Sequence, residues 1–302
     1  MSGIKFLDNV YNGKNTKGSY FLTIVITVFG GSIAAILFIL LLMLLYVFSS
    51  GNMMFSSQVD TLMFNPFVTL IFVGLTYGIF ALLFYLCIQF IHKKKFISLI
   101  NIGKNIKWKR IIKGAGLWTG IMAFFTIMSL IFQHGDVTYN FNLSSFLILV
   151  VLSILIFPLQ ASFEEIFFRG YLMQGFRLIS NKPVVPLVLT ALIFGSIHFY
   201  NGSSLTTSLT IVISAVILGL MLGIIVLGEN GLETAMGVHI ANNMFVAIVL
   251  NSSDSGLSNL PSLITAQTTD PYSGIPLLIL MAGILILIIF WNDRNAFLRI
   301  FQ

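Results

Sequence analysis

Long apolar runs recur along the whole chain, and their lengths predict helices that cross a lipid bilayer. A hydrocarbon core about 30 Å thick needs about 20 consecutive apolar residues for each helical crossing. We expect eight crossings, at residues 20–48, 66–91, 115–132, 145 into the 160s, 184–199, 205–227, 232–250 and 275–291. The pattern therefore predicts an all-α fold, a polytopic membrane helical bundle.

Composition agrees with this prediction. The chain is 57% hydrophobic and 9% charged, and its mean hydropathy of +0.99 lies far above that of soluble globular domains. A single membrane domain over residues 1–302 can account for the whole chain. Lys5, Lys14 and Lys17 precede an apolar stretch too long for a cleavable signal peptide, so we expect the first helix to be retained.

The distribution of basic residues predicts the orientation. Lysines and arginines are concentrated in alternate loops, whereas the segments around Asp60, Asp136, Asp254 and Asp270 contain none. By the positive-inside rule both termini are cytoplasmic, and all but Arg169 of the 16 basic residues face the cytoplasm or its membrane interface. Topology therefore explains the net charge of +6, and no nucleic-acid partner is expected. The basic stretch 96–113 is interpreted as a solvated loop in preference to an interfacial helix.

Two glycine pairs have the small-xxx-small spacing that lets membrane helices approach closely. They are Gly116 with Gly120 and Gly219 with Gly223. The only cysteine, Cys87, excludes disulfides within the chain and cysteine-based metal clusters.

Ionisable residues within the apolar segments are few and concentrated in the second half of the chain. A charge at bilayer depth costs about 2.5–3.5 kcal/mol, so such residues are functional candidates. The candidates come from three helices, and they are Glu164, Glu165, Arg169, Phe194, His198, His239 and Asn243. A polar network that only holds helices together is the alternative. We expect almost no other buried ionisable group, with His92 and His134 solvated.

Helical spacing divides the roles of these residues. Glu165 and Arg169 lie four apart with the acid first, which favours an ion pair. Glu164 lies about 100° further round the helix and is predicted to be unpaired, free to act as a general base. Phe194 and His198 share one helix face, and so do His239 and Asn243.

The depths of Glu164, His198 and His239 along their helices predict a hairpin that projects beyond the membrane. Glu164 and His198 lie about 24 and 21 Å from the turn at residues 180–183, but His239 lies only about 12 Å from the cytoplasmic end of its helix. They reach one depth only if the hairpin tilts strongly or extends roughly 10 Å beyond the membrane. We predict the extension, with Arg177 and Lys182 in the cytoplasm.

The three segments together resemble the signature of the CAAX-protease and bacteriocin-processing family (CPBP), which includes the type 2 CAAX prenyl endopeptidases. That signature is Glu-Glu-x-x-x-Arg, Phe-x-x-x-His and His-x-x-x-Asn, and every position is present. The resemblance covers roughly residues 145–250, which would be the catalytic core. Residues 1–144 would be helices without motifs, and 251–302 a last loop and a final transmembrane helix.

The resemblance implies an intramembrane endopeptidase that hydrolyses a peptide bond near the cytoplasmic side. Glu164 and His198 would activate water, and His239 with Asn243 would stabilise the oxyanion or position the water. Glu165 and Arg169 would hold the geometry, with Phe194 supporting them. The implied partners are the bilayer and a peptide or membrane-anchored protein substrate, in a prokaryotic plasma membrane.

Two questions stay open at this point. A zinc ion held by Glu164, His198 and His239 is a plausible catalytic set, but Glu165 would then be both base and partner of Arg169. A metal-free mechanism avoids that double role and is preferred. The alternative functions are a proton-coupled transporter and a catalytically silent scaffold or immunity protein. No inverted repeat favours the transporter, and no lost motif residue favours the silent relative.

Overall fold

Helices form most of the regular structure. The computed structural model describes residues 4–50, 64–132, 137–139, 141–267 and 270–302. In chain order the α-helices are α1 (Lys5–Asp8), α2 (Lys17–Ile24), α3 (Gly31–Ser50), α4 (Pro66–Cys87), α5 (Trp108–Phe132), α6 (Leu143–Glu165), α7 (Met173–Phe176), α8 (Val184–Ser196), α9 (Leu205–Glu229), α10 (Glu233–Ile248), α11 (Gly274–Phe290) and α12 (Arg294–Leu298). Wider π-helical segments extend three of them, at Val25–Gly30, Ile88–His92 and Ile166–Leu172. Short 3₁₀ turns lie at Asn9–Tyr11, Phe96–Leu99 and Phe199–Asn201.

The all-α membrane bundle is confirmed. Within the described residues, six helical stretches are long and apolar enough to span a bilayer. They are Lys17–Ser49, Pro66–His92, Trp108–Phe132, Leu143–Phe176, Val184–Asn201 and Leu205–Glu229. The shorter helices α10 and α11 occupy the seventh and eighth predicted crossings. The count of eight and the cytoplasmic termini stay predictions.

A small three-stranded sheet was not predicted. Its strands are β1 (Val137–Tyr139), β2 (Leu250–Ser252) and β3 (Ile264–Ala266), in the spatial order β1-β3-β2. β3 pairs antiparallel with β1 and parallel with β2. The sheet therefore joins the segment before α6 to the chain that follows α10.

Asp60, Asp136 and His134 lie outside the described residues.

The closest helix packing lies between α5 and α10. A Cβ atom placed on Gly237 would be 2.0 Å from the carbonyl oxygen of Ile111, and one on Gly114 would be 2.2 Å from that of Thr234. Neither oxygen can move aside without moving its helix. The two glycines thus let the backbones meet and fix α10, which carries His239, against the bundle.

The two predicted glycine pairs behave differently. Gly219 and Gly223 of α9 pack against Ala191 and Leu187 of α8, as expected. A Cβ on Gly116 or Gly120 would meet no atom within 4 Å, so that pair makes no close helix contact among the described residues.

The segment before α2 and the loop between α4 and α5 form a cap on one end of the bundle. The Asn9 side-chain amide donates to the Ser98 carbonyl at 2.8 Å. In the same loop, the buried Lys94 ammonium donates to Gln174 Oε1 at 2.9 Å. Residues 96–99 form a 3₁₀ turn and α5 begins at Trp108, so the stretch interpreted as a loop is partly helical.

We expect Gly114→Ala to destabilise the protein by about 1–3 kcal/mol, because the new methyl group clashes with backbone. Gly116→Ala, two residues along the same helix, is the matched control and should leave stability unchanged or raise it by up to about 1 kcal/mol, because a Cβ there meets no atom within 4 Å. Thermal unfolding in detergent measures both. Equal midpoints for the two variants would contradict the packing argument.

Stability should depend on the charge of Lys94. Burial lowers the pKa of Lys94 from 10.5 to about 8. Between these values the unfolded chain holds a proton that the folded protein has released, so this residue makes stability rise with pH. Wild type should therefore gain stability relative to Lys94→Met as the pH rises from about 8 to about 9.5. A difference between their thermal midpoints that does not change with pH would contradict this.

Candidate active site

The three motifs meet inside the bundle. Glu164 and Glu165 end α6, and Arg169 lies in the π-helical segment Ile166–Leu172 that follows. Phe194 belongs to α8, and His198 lies just past its end. His239 and Asn243 belong to α10. Both glutamates, Arg169 and His239 are at most 6% exposed, so their charges are shielded from water.

Glu165 is the centre of the cluster. Its Oε1 atom accepts one hydrogen bond from Arg169 Nη1 at 2.8 Å and another from His239 Nδ1 at 2.7 Å. The predicted pair with Arg169 is therefore present. The Arg169 guanidinium also lies over the Phe194 ring, with Cζ 4.2 Å from the ring centroid. One carboxylate thus links α6, the π-helical segment and α10.

The π-helical segment is held in place by a glycine. A Cβ on Gly170 would be 2.5 Å from the Leu99 carbonyl oxygen, so only glycine allows the helix to lie against the loop before α5. Single π-helical turns inside α-helices are frequent at functional sites. Here the wider turn contains Arg169, which reaches back four residues to Glu165.

Glu164 has partners that the sequence did not predict. Its Oε1 atom accepts hydrogen bonds from the Tyr77 hydroxyl and, at 3.2 Å, from Gln160 Nε2. The expectation of an unpaired Glu164 was therefore wrong, because α4 lies beside α6 and supplies a phenol. Its Oε2 atom has no hydrogen-bond partner among the described residues and lies 3.5 Å from His239 Nε2.

Hydrogen-bond chemistry determines where a proton is needed. The Glu165 carboxylate can only accept, so His239 Nδ1 carries a hydrogen. The Nε2 atom of a neutral His239 would then present a lone pair to Glu164 Oε2, and two lone pairs repel. One proton between Glu164 and His239 removes this conflict. It also brings the two glutamates, Arg169 and His239 to zero net charge, which a low-dielectric interior favours.

A chain of amides connects Asn243 to Glu164. The Trp118 indole can only donate, and it donates to Asn242 Oδ1 at 3.1 Å. Asn242 Nδ2 donates to Asn243 Oδ1 at 3.2 Å, and Asn243 Nδ2 donates to Gln160 Oε1 at 3.3 Å. Gln160 then donates to Glu164. A donor-only group at one end and a carboxylate at the other fix every amide orientation.

His198 lies next to the cluster but forms no hydrogen bond with its carboxylates among the described residues. The Phe194 ring separates them, with its centroid 4.7 Å from that of His198 and 5.8 Å from that of His239. His198 Nδ1 donates to the Phe194 carbonyl at 2.7 Å, because a carbonyl oxygen can only accept. The Nε2 atom of a neutral His198 therefore carries the lone pair.

These residues do not form a metal-binding group. In the described part of the chain, no three His, Cys, Asp or Glu side chains converge so as to hold a metal ion. His239 directs its two ring nitrogens at the two glutamates, and His198 lies on the other side of Phe194. The donor set Glu164, His198 and His239 thus does not fit a metal in this arrangement, and no step below is routed through one.

More ionisable residues are buried than the sequence interpretation allowed. His92 is 2% exposed, with Nδ1 2.6 Å from the Lys14 carbonyl oxygen and Nε2 2.8 Å from the Tyr171 hydroxyl. Its predicted solvation was wrong, because the cap covers the end of α4. Lys94 and Glu233 are also buried.

Sequence reasoning missed Tyr77, Gln160, Trp118 and Asn242. Two of them carry a local signal, since Gln160 lies one helical turn before Glu164 and Asn242 adjoins Asn243. Tyr77 and Trp118 come from distant helices, and only the packing of α4 and α5 brings them to the site.

The described residues thus form a membrane helical bundle with a buried glutamate–histidine cluster, and one carboxylate oxygen of that cluster has no hydrogen-bond partner among them. Residues 143–245 match the family model described as type II CAAX prenyl endopeptidase Rce1-like, which confirms the resemblance of the three motifs. Over these residues the chain is similar to the CAAX-type intramembrane proteases, and this similarity indicates a hydrolase that acts on a peptide or protein.

One curated relative carries no functional description. The chain is 26% identical over 261 residues to the uncharacterized protein YyaK of Bacillus subtilis (strain 168), and the match covers 86% of each chain. No solved structure matches the chain significantly.

Tyr77→Phe should lower kcat for peptide cleavage by about tenfold to a hundredfold, because Glu164 loses a hydrogen bond worth about 1.5–3 kcal/mol. KM should change little, because Tyr77 acts on the Glu164 carboxylate and not on the binding of substrate. Tyr85→Phe, on the exposed side of the same helix, is the matched control. Equal activity of the two variants would exclude Tyr77 from positioning Glu164.

Proposed function

We propose that this protein is an endopeptidase in which Glu164 acts as the general base on water. The observation that carries the proposal is the Glu164 Oε2 atom, which is buried, has no hydrogen-bond partner among the described residues and lies 3.5 Å from His239. Leaving a buried acceptor unsatisfied is costly, and a water molecule can satisfy this oxygen by donating to it. The other oxygen is held by Tyr77 and Gln160, which orients the carboxylate.

The reaction begins with proton transfer. Glu164 Oε2 takes a proton from a water molecule. The hydroxide oxygen forms a bond to the carbonyl carbon of the substrate, and the carbonyl π electrons move to its oxygen. Glu164 then gives the proton to the amide nitrogen. The carbon–nitrogen bond breaks and the amine leaves.

The developing oxyanion requires donors. Asn243 uses one of its two N–H groups on Gln160, which leaves the second for the substrate oxygen. His239 donates from Nε2 when it carries the shared proton, and Glu165 holds its ring in place. Donors aligned before the reaction stabilise charge at little cost in reorganisation. Arg169 balances the charge of Glu165 and has no direct role on the substrate.

The proposed reaction takes place near the cytoplasmic side of a prokaryotic plasma membrane. The distribution of lysines supports the cytoplasmic side, and the Bacillus relative supports a prokaryotic membrane. The helical stretch Leu143–Phe176 has 34 residues, or about 50 Å, against a hydrocarbon core of about 30 Å. This excess length supports a hairpin that projects beyond the bilayer.

The test is cleavage of quenched fluorescent peptides by purified protein in nanodiscs, with prenylated and unprenylated versions of each peptide. Glu164→Gln should lower kcat by about 10²–10⁴-fold, because general acid–base catalysis contributes that factor. His198→Ala should lower kcat less than Glu164→Gln does, because the Phe194 ring separates His198 from the carboxylates. Asp254→Asn, beyond the C-terminal end of α10, is the control for loss of an acid elsewhere. Cleavage that survives Glu164→Gln would contradict the assignment of the base.

Chelator treatment belongs to the same assay. The metal-free mechanism predicts unchanged activity, and inactivation that zinc reverses would contradict it while leaving the proposed endopeptidase activity intact.

A further inference from the structure

A basic pocket lies in the cap, away from the proposed active site. It has a volume of about 610 Å³ and is bounded by the segment before α2 and by the loop between α4 and α5. Lys93, Lys94, Lys95 and Lys104 line it, together with Asn9 and Asn12. No acidic side chain lines it within the described residues. Four cations without a counter-charge repel one another, so the pocket favours an anion.

The pocket is built by contacts between segments distant in sequence. Asn9 donates to the Ser98 carbonyl, and the Lys14 amide donates to the His92 carbonyl at 2.7 Å. Gly13 has a φ of 77°, and a Cβ there would be 2.4 Å from the His92 carbonyl oxygen. The wall therefore has a defined backbone conformation, unlike a flexible run of surface lysines.

Lys94 makes this pocket unusual. It is only 7% exposed, and its Nζ atom donates to Gln174 Oε1 at 2.9 Å. An ammonium has three donors, and a neutral amide oxygen does not offset its buried charge. Lys93 adopts a left-handed backbone conformation with a φ of 50°, and it is exposed at the same pocket.

The position of the pocket indicates the chemistry of its ligand. It lies where the first long helical stretch begins at Lys17 and the second ends at His92. If these stretches cross the bilayer, this is the depth of lipid headgroups, where clustered lysines interact with phosphate. The Asn12 side-chain amide uses one N–H on Asn9 Oδ1, so its second N–H is a donor that a phosphate oxygen can accept.

We propose that this pocket binds a phosphate-bearing anion, supplied either by the headgroup of an anionic phospholipid or by a soluble phosphate compound. The three exposed lysines supply attraction and Lys94 forms the buried side of the site. This function is independent of the proteolytic chemistry at Glu164.

Binding is tested with purified full-length protein in a neutral detergent. The variant Lys93→Gln, Lys95→Gln, Lys104→Gln removes three charges from the pocket and leaves Lys94 in place. The variant Lys107→Gln, Lys109→Gln, Lys113→Gln removes three exposed charges from the adjoining stretch outside the pocket. The probes are short-chain phosphatidylglycerol, short-chain phosphatidylcholine and inorganic phosphate. Thermal shift and native mass spectrometry measure binding.

We expect the pocket variant to bind phosphatidylglycerol about a hundredfold more weakly, since each of the three lysines contributes about 1 kcal/mol near such a headgroup. The control variant should bind as wild type does. Competition by inorganic phosphate would identify a soluble source, and binding of phosphatidylglycerol alone would identify the lipid. An equal loss in both variants, or a loss in neither, would overturn the proposal.

Lys104→Glu provides a second route if the triple variant does not fold. The residue is exposed, so the change should preserve the structure and still weaken binding. Wild-type affinity in a folded Lys104→Glu protein would also count against the site.

Discussion

The buried carboxylate of Glu165 is the constraint on which the rest of the site depends. One of its oxygens accepts from both Arg169 and His239, and these partners come from the π-helical segment after α6 and from α10. Removing a partner from a buried ion pair costs about 3–5 kcal/mol, because a charge is then left without compensation. The cluster therefore fixes the relative position of two helices and the tautomer of one histidine. Through that tautomer it also directs His239 Nε2 at Glu164 Oε2.

Helix packing around the cluster also fixes the groups that hold Glu164. Gly114 and Gly237 let α5 and α10 meet at backbone distance, which brings Trp118 to the amides beside Glu164. The donor-only indole then orients each amide up to the Glu164 carboxylate. Tyr77 fixes the same carboxylate from α4. One oxygen of Glu164 thus accepts from α4 and α6, and the other has no hydrogen-bond partner among the described residues, a division that suits a general base.

The cap carries a different arrangement of charge from the glutamate–histidine cluster. His92 and Lys94 are buried there without a carboxylate among their hydrogen-bond partners. Their environment differs from that of Glu165, whose charge is compensated within the cluster. An uncompensated basic pocket at a membrane interface suits recognition of an anion, whereas the balanced cluster suits proton transfer.

The sequence by itself determined the membrane class, the helical fold and the seven motif residues. Apolar run length is a local property, and the i to i+4 spacing already put Glu165 beside Arg169. Only the tertiary structure decided the partners of Glu164, the burial of His92 and the small sheet, because each depends on segments far apart in the chain. Tyr77 is 87 residues from Glu164, and Tyr171 is 79 from His92. The periodicity of one helix does not specify which other helix will pack against it. These contacts could therefore be found only in the packed bundle.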